Sequence, residues 1–554
     1  MGKNALSASI AAFFGLFLVI PIACVVLMAF TGKPLPVIER VSSLQITRLI
    51  GEVAENASTR YIEDLTRVKR YRKAAVNSIV LAVTVATLAS LLALPLSLGF
   101  SRGLFGAPRI FEVLLMMPMV TPIFLYAFAL LLIFSKYGII AKMFGISIFD
   151  PFSFTGLVVT QVTGLLPLAV LAQTPSFSLY SRSWSTVAEG LGADGTFSTW
   201  RVWLPLNSTG ILTGWVLVVL RSLGDFVTPM LLTSARFRLL VLEAWRDMAG
   251  SSWWPGAAAL CSELLLLALI LLAWERRLLA KERAMAPLSP MQSLGESTEG
   301  VLARWGVTAY ALVVLSIPVL AAVLVALSSF GVPGDAGFTF AHYAQVFKEA
   351  PAAIVNSLIL GVSVVVFGVI GSLIVAKTSE KGSLKESISA MALIGFAVPT
   401  TAYAIGLMGV FNEPPLVLHF TPTLVVISIL VTRFNYGLRL IEGSYGKLGC
   451  NWEDASKTMG ATSDFIFRWV NFPYLKPAIG AAAVLMGISA LQDVALTVLI
   501  APPRFYPLSL VTARYIADGL FAPAAAMGTI LMAVLLILAA SGLKGSSFSR
   551  QAEF

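Results

Sequence analysis

Charge is what this 554-residue chain has least of: Asp, Glu, Lys and Arg together make up 12% of it, against 57% hydrophobic residues and a mean hydropathy of +0.86. Soluble domains carry about 25% charged residues, so a water-soluble globular fold is excluded. Reactive side chains are scarce as well. There are two histidines, His342 and His419, and three widely separated cysteines, Cys24, Cys261 and Cys450. Neither a disulfide framework nor a metal cluster is expected from them, and no cofactor is expected. A membrane-embedded enzyme would need His, Cys or carboxylates gathered at one depth, and the chain does not supply them. No GxxxxGK[ST] run occurs, so there is no phosphate-cradling loop, and any ATP energy has to come through another polypeptide. The net charge of +10 does not indicate nucleic acid, because the basic residues are spread through loops and not collected on one face.

What is present is a succession of apolar runs about 20 residues long, each enough to cross a hydrocarbon core of ~30 Å. The fold class is therefore all-α: a polytopic membrane protein with membrane lipid as its surroundings. About twelve spans are predicted, at 9–30, 74–100, 111–134, 154–172, 204–230 and 257–274, then 305–329, 352–376, 388–411, 421–440, 478–501 and 523–543. The first run is longer than a signal-peptide core and lacks a small-residue cleavage site before Thr31, so it reads as a retained span. A charged and then Ser/Gly/Pro-containing stretch, 275–304, reads as a cytoplasmic linker between halves 1–274 and 305–554.

The halves repeat. TVAEGLGADGTFSTWRVWLPL (186–206) and DASKTMGATSDFIFRWVNFPY (454–474) lie 268 residues apart and share a register. Gly192, Ala193, Phe197, Val202 and Pro205 match Gly460, Ala461, Phe465, Val470 and Pro473. At the same offset Asp225 meets Asp493, Arg236-Phe237 meets Arg504-Phe505, and Pro255 meets Pro523. The second span of each half opens on Asn-Ser (Asn77-Ser78, Asn356-Ser357), and the third shares Pro122 and Tyr126 with Pro399 and Tyr403. Apolar helices match Leu to Leu by chance but rarely match Asp, Arg and Pro in one register. Six spans per half make the two copies parallel, related by a pseudo-two-fold axis along the membrane normal. Leaving out the loop 31–73, which holds nine basic residues, the Lys and Arg distribution places the N-terminus in the cytoplasm. Both Gly-Ala segments then face the cytoplasm.

These paired segments resemble the Glu-Ala-Ala loop of ABC importer permeases, the binding-protein-dependent type I class. The similarity extends over nearly all of both halves and is nearest to the fused double permeases of the ferric iron, thiamine, polyamine and phosphonate group. The resemblance implies a non-catalytic permease of the bacterial inner membrane, served by two copies of a soluble ATPase and by a periplasmic or lipid-anchored binding protein. The coupling contacts it implies are Gly192, Ala193, Phe197, Asp454, Gly460, Ala461 and Phe465. Where the family has Glu, the second copy has Asp454 and the first has Thr186, so unequal docking is expected. Small residues allow close backbone approach, and Phe197 and Phe465 are suited to anchoring in a partner pocket.

A second constellation lies within the spans. Asp225 and Asp493 fall in the fifth span of each half, and Arg221 stands one turn before Asp225. A carboxylate at bilayer depth costs at least about 2.5–3.5 kcal/mol, so each is expected to line a solute pathway or to hold a structural partner. Arg221 is placed to pair with Asp225 at i, i+4. An ion-coupled secondary carrier also has two six-span halves and would explain the aspartates. It leaves the Gly-Ala loops unexplained.

Overall fold

The computed structural model describes residues 2–545 except 35, 37–38, 41–44, 137, 147–148, 180–186, 188–189, 195–196, 198–199, 202–203, 234–236, 286–300, 332–337, 378–382 and 448. Among the described residues every regular element is helical. Eleven helices are long and apolar enough to cross a membrane, or twelve when one bent pair counts as a span.

In the first half, α1 (Leu6–Thr31) contains a π-helical turn at Gly15–Val19. Two short helices follow, α2 (Ile46–Asn56) and α3 (Arg60–Arg67). The membrane helices resume with α4 (Lys69–Ser101), α5 (Pro108–Val120), α6 (Ile123–Phe134), α7 (Phe154–Leu179) and α8 (Leu204–Gly224). After α8 come the short α9 (Val227–Leu232) and α10 (Leu240–Trp245), then α11 (Trp254–Met285). The second half repeats this order. It begins with α12 (Val301–Ser328), α13 (Ala341–Glu349), α14 (Pro351–Lys377), α15 (Ser383–Ala397) and α16 (Thr400–Phe411). It continues with α17 (Pro422–Lys447), α18 (Gly449–Thr458), α19 (Ser463–Ile466), α20 (Phe472–Leu491), α21 (Ala495–Ile500), α22 (Leu508–Ala517) and α23 (Phe521–Gly545).

Two predicted spans are broken in both halves. The third span splits at Pro122 and at Pro399, both with extended ψ (135° and 127°). In the second half the two pieces are bent by 110°. Proline has no N–H to give and clashes with the carbonyl four residues back, so the helix ends before it. Pro118, by contrast, is accommodated inside α5. The fifth span splits at the aspartates: α8 gives way to α9 around Asp225, and α20 to α21 around Asp493.

Helix packing groups the chain into two units that cross the sequence halves. One comprises Met1–Arg67, Ala244–Ser262 and Phe338–Phe554, the other Val68–Glu243 and Glu263–Gly337. The first span of each sequence half thus packs among helices of the other half. Within the first unit, the Tyr403 hydroxyl on α16 donates to the Phe17 carbonyl of α1 at 2.6 Å. Phe17 also stacks on Phe411, with centroids 5.1 Å apart. The accepting carbonyl lies in the π-helical turn, where regular helix pairing is interrupted. Within the second unit, the Tyr310 hydroxyl of α12 donates to the Leu92 carbonyl of α4 at 2.9 Å, and Arg304 Nε donates to the Leu104 carbonyl at 3.2 Å.

The repeated Asn-Ser pair has a matching task in each unit. Ser78 Oγ accepts the Leu240 N–H at 2.9 Å, and Asn77 Nδ2 donates to the Arg238 carbonyl at 2.9 Å. Ser357 Oγ accepts the Leu508 N–H at 2.7 Å, and Asn356 Nδ2 donates to the Arg504 and Tyr506 carbonyls at 3.3 and 3.4 Å. Each pair ties the start of the second span to backbone that follows the fifth, and each serine satisfies an N–H, of Leu240 or Leu508, that would otherwise be buried without a partner.

Candidate functional site

Both Gly-Ala segments leave the helical regions as exposed elbows of one design. In the second copy α18 ends with the Met459 N–H on the Ala455 carbonyl (3.1 Å), and the Gly460 N–H reaches the Lys457 carbonyl (2.9 Å). Gly460 has φ +82°, and Ala461 closes back on the Ser456 carbonyl at 3.0 Å. In the first copy the Leu191 N–H is on the Val187 carbonyl at 3.0 Å, followed by Gly192 at φ +90°. A left-handed glycine is the usual helix terminator. At neither glycine would an added Cβ meet another atom of this chain. Within the chain, glycine is therefore required there by backbone conformation alone, and the surface over it is open to another molecule.

Beyond each glycine a short polar side chain starts the next turn. Asp194 Oδ1 accepts the Phe197 N–H at 2.5 Å, and Thr462 Oγ1 accepts the Phe465 N–H at 3.4 Å. Thr462 thereby caps the N-terminus of α19, and Asp194 makes the corresponding bond in the first copy. They present Phe197 and Phe465 at 54% and 53% exposure, with Ala193 and Ala461 half-buried beside them. A π-helical turn, Phe467–Asn471, then feeds the second copy into α20.

The sequence pattern did not single out the most exposed apolar groups of the elbows. Leu191 and Met459, each just before its glycine, are 85% and 88% exposed, and Trp200 and Trp469 are also exposed. The signal was available: Leu191 and Met459 share a register in the repeat, and the dipeptide Trp200-Arg201 answers Arg468-Trp469 in reverse order. Thr186 and Val202 lie outside the described residues. Asp454 belongs to α18, but its side chain is outside them too.

The aspartates sit at the breaks of the fifth spans, where the freed N–H groups of a new helix need acceptors. Asp225 Oδ1 takes the N–H groups of Val227 and Thr228 at 3.2 and 3.3 Å. Its Oδ2 takes Gln161 Nε2 of α7 at 2.9 Å, and the Ser222 hydroxyl orients that amide by donating to Gln161 Oε1 at 2.6 Å. Asp493 Oδ1 takes the Leu496 N–H at 2.9 Å, while its Oδ2 pairs with Arg433 Nη2 of α17 at 2.6 Å. The same geometry thus has a neutral partner in one half and a cation in the other. Asp493 is buried, at 5% exposure, whereas Asp225 and Arg221 are half-buried. Sequence spacing did not reveal Gln161 and Arg433, because their partners lie about sixty residues further along the chain.

No family model matches the chain. It is similar to the ferric transport system permease protein FbpB of Actinobacillus pleuropneumoniae, 21% identical over 83% of this chain and 69% of the relative. It is 31% identical to the molybdenum transport system permease protein ModB of Mycobacterium tuberculosis, over 34% of this chain and 72% of ModB. A Salmonella paratyphi A protein named for 2-aminoethylphosphonate transport, PhnV, is 23% identical over 36% of this chain and 77% of its own length. The ferric permease match spans both halves of the chain, and the shorter relatives are the size of one half.

Proposed function

The chain belongs to the family of ABC importer permeases, and from that premise we propose that it is the complete transmembrane passage of one importer, with both permease halves in a single polypeptide. It is a multi-pass membrane protein, and the ion-coupled carrier reading is not favoured by its relatives. Halves 1–274 and 305–554 are the two permease repeats, and 275–304 joins them in the cytoplasm. The N-terminus is cytoplasmic, and the membrane is the bacterial inner membrane.

Two copies of a soluble ATPase dock on the elbows, one each, and supply the hydrolysis that the permease itself does not perform. A binding protein delivers solute at the opposite face. The observation that supports this most strongly is that two elbows, matched in sequence register, both expose a left-handed glycine with open space above it. Gly192, Ala193 and Phe197 form the first contact; Asp454, Gly460, Ala461 and Phe465 form the second. Closure of the ATPase dimer moves the elbows and re-orients the packed helices as rigid bodies. In a membrane complex of this chain with its ATPase, Gly460→Ala and Gly460→Trp carry the same backbone strain, so the two are expected to accumulate alike while uptake falls at least tenfold further in Gly460→Trp than in Gly460→Ala. Equal uptake in the two variants would count against docking at the elbow.

For the solute we assign ferric iron first, because the relative that shares both halves is named for it; polyamine- or thiamine-like cations are the further candidates. Asp225, half-buried with a neutral partner, faces the pathway together with Arg221, whereas Asp493 acts through the helix break it holds. Uptake into proteoliposomes with the neighbouring ATPase, binding proteins and a panel of solutes tests the assignment. Uptake restricted to oxyanions would overturn it.

A further inference from the structure

α13 carries three surfaces of different chemistry, and together they fix where the helix sits. At 100° per residue, Tyr343, Val346 and Ala350 share one face; Val346 and Ala350 are buried, and α13 packs on α23 and α14. His342, Gln345 and Glu349 form a second, polar face, with Gln345 Nε2 donating to both Glu349 carboxylate oxygens at 3.1 Å. Phe340, Ala344 and Phe347 form the third, within a sector of about 60° diametrically opposite the polar face. Phe340 and Phe347 are 73% and 60% exposed. Lys348 lies between the apolar and polar sectors, where its long stem covers apolar surface while its ammonium reaches water.

Two phenylalanine rings left fully in water would forfeit the free energy that burying their apolar surface releases. The chain itself indicates what covers them. Pro351 opens a 27-residue membrane helix two residues after α13 ends, so α13 is held at the membrane surface whichever side it lies on. The following helix shows Val355, Leu358, Ile359 and Val362 on its own exposed surface, which in a membrane span is lipid-facing. We propose that α13 lies in the plane of the bilayer interface, its Phe340–Phe347 face sunk among lipid acyl chains and its His342–Glu349 face in water. The helix thereby anchors the depth at which α14 enters the membrane.

The matching place in the first half is built differently. Tyr61 stands sixteen residues before Asn77, as Phe340 stands sixteen before Asn356. Tyr61 turns inward, its hydroxyl 2.6 Å from where a Cβ on Gly32 would sit and its ring 6.2 Å from that of Trp253. At this register position, then, the first half turns its aromatic residue inward where the second half exposes one.

The test is spin-label accessibility in the full chain with its three cysteines replaced, reconstituted in phosphatidylethanolamine–phosphatidylglycerol nanodiscs. Single labels at Phe347→Cys, Ala344→Cys, Gln345→Cys and Glu349→Cys are exposed in turn to oxygen, which concentrates in lipid, and to a water-soluble nickel chelate. The oxygen-to-nickel ratio is expected to be several-fold higher at 344 and 347 than at 345 and 349. Ala344→Cys keeps the test alive if Phe347→Cys fails to assemble. Equal, nickel-dominated ratios at all four sites would overturn the proposal. So would nickel access at 344 and 347 that is lost only when the binding protein is added, since that face would then be a protein-docking surface.

Discussion

A single carboxylate shows how far an equivalent residue can diverge. Asp225 and Asp493 occupy the same position of the repeat and each serves the start of a short helix, yet Gln161 faces one and Arg433 the other. Removing one member of a buried ion pair strands a charge and typically costs 3–5 kcal/mol. Arg433→Ala is therefore expected to lower thermal stability by about that amount, and Arg433→Ala/Asp493→Ala to recover part of it, measured by unfolding in detergent. Gln161→Ala should cost only about 1–3 kcal/mol, the penalty for leaving hydrogen-bonding groups unmet. Asp225→Asn is expected to slow uptake of a cation while protein abundance holds, and Asp493→Asn to lower abundance; the reverse pattern, read by uptake assay and immunoblot, would exchange their roles. The sequence marked both aspartates, since ionisable residues at bilayer depth are rare. Their partners were hidden by sequence distance: Arg221, one turn before Asp225, was the expected partner, but the carboxylate bonds Gln161 of α7 instead. At the elbows, a charge reversal at Asp454 is expected to weaken ATPase association more than the same charge placed at Thr186, measured by co-purification.

At the scale of elements, periodicity and apolar length located the spans well, and the breaks were legible only where proline caused them. Pro122 and Pro399 end their helices for a reason printed in the sequence. The break at Asp493 has no proline beside it, whereas Pro229 stands four residues after Asp225 and excludes a helical bond to its carbonyl; at both breaks the carboxylate replaces missing backbone partners. The Asn-Ser dipeptide was visible as a repeat, but its use as a latch required the fold. Because Ser357 supplies the acceptor for the buried Leu508 N–H, Ser357→Ala is expected to destabilise the start of α22 by about 1–3 kcal/mol. Hydrogen exchange at Leu508 and its neighbours would read that loss as faster local opening, and unchanged protection there would count against the latch.

At the scale of the whole molecule, the sequence repeat and the packing units divide the chain differently. Read as sequence, the first span belongs to the first half; its Phe17 nonetheless meets Tyr403 and Phe411 of the second. Likewise Tyr310 and Arg304 of the twelfth helix satisfy carbonyls of the first half. Hydropathy does not encode which helix a span will pack on, so this exchange was illegible beforehand. Residues 1–285 and 301–554 expressed as separate chains are thus expected to co-purify, each accumulating poorly without the other; good accumulation of either alone would show that its first span finds partners within its own half. The role proposed for the molecule depends on its two elbows meeting an ATPase inside the cell. Cysteines placed at Ala193 and Ala461 in a cysteine-free chain, treated with a maleimide that cannot cross lipid, examine this most directly. Modification only after inside-out vesicles are made, and its suppression when the ATPase is bound, is the predicted result. Modification from outside intact cells would contradict the account.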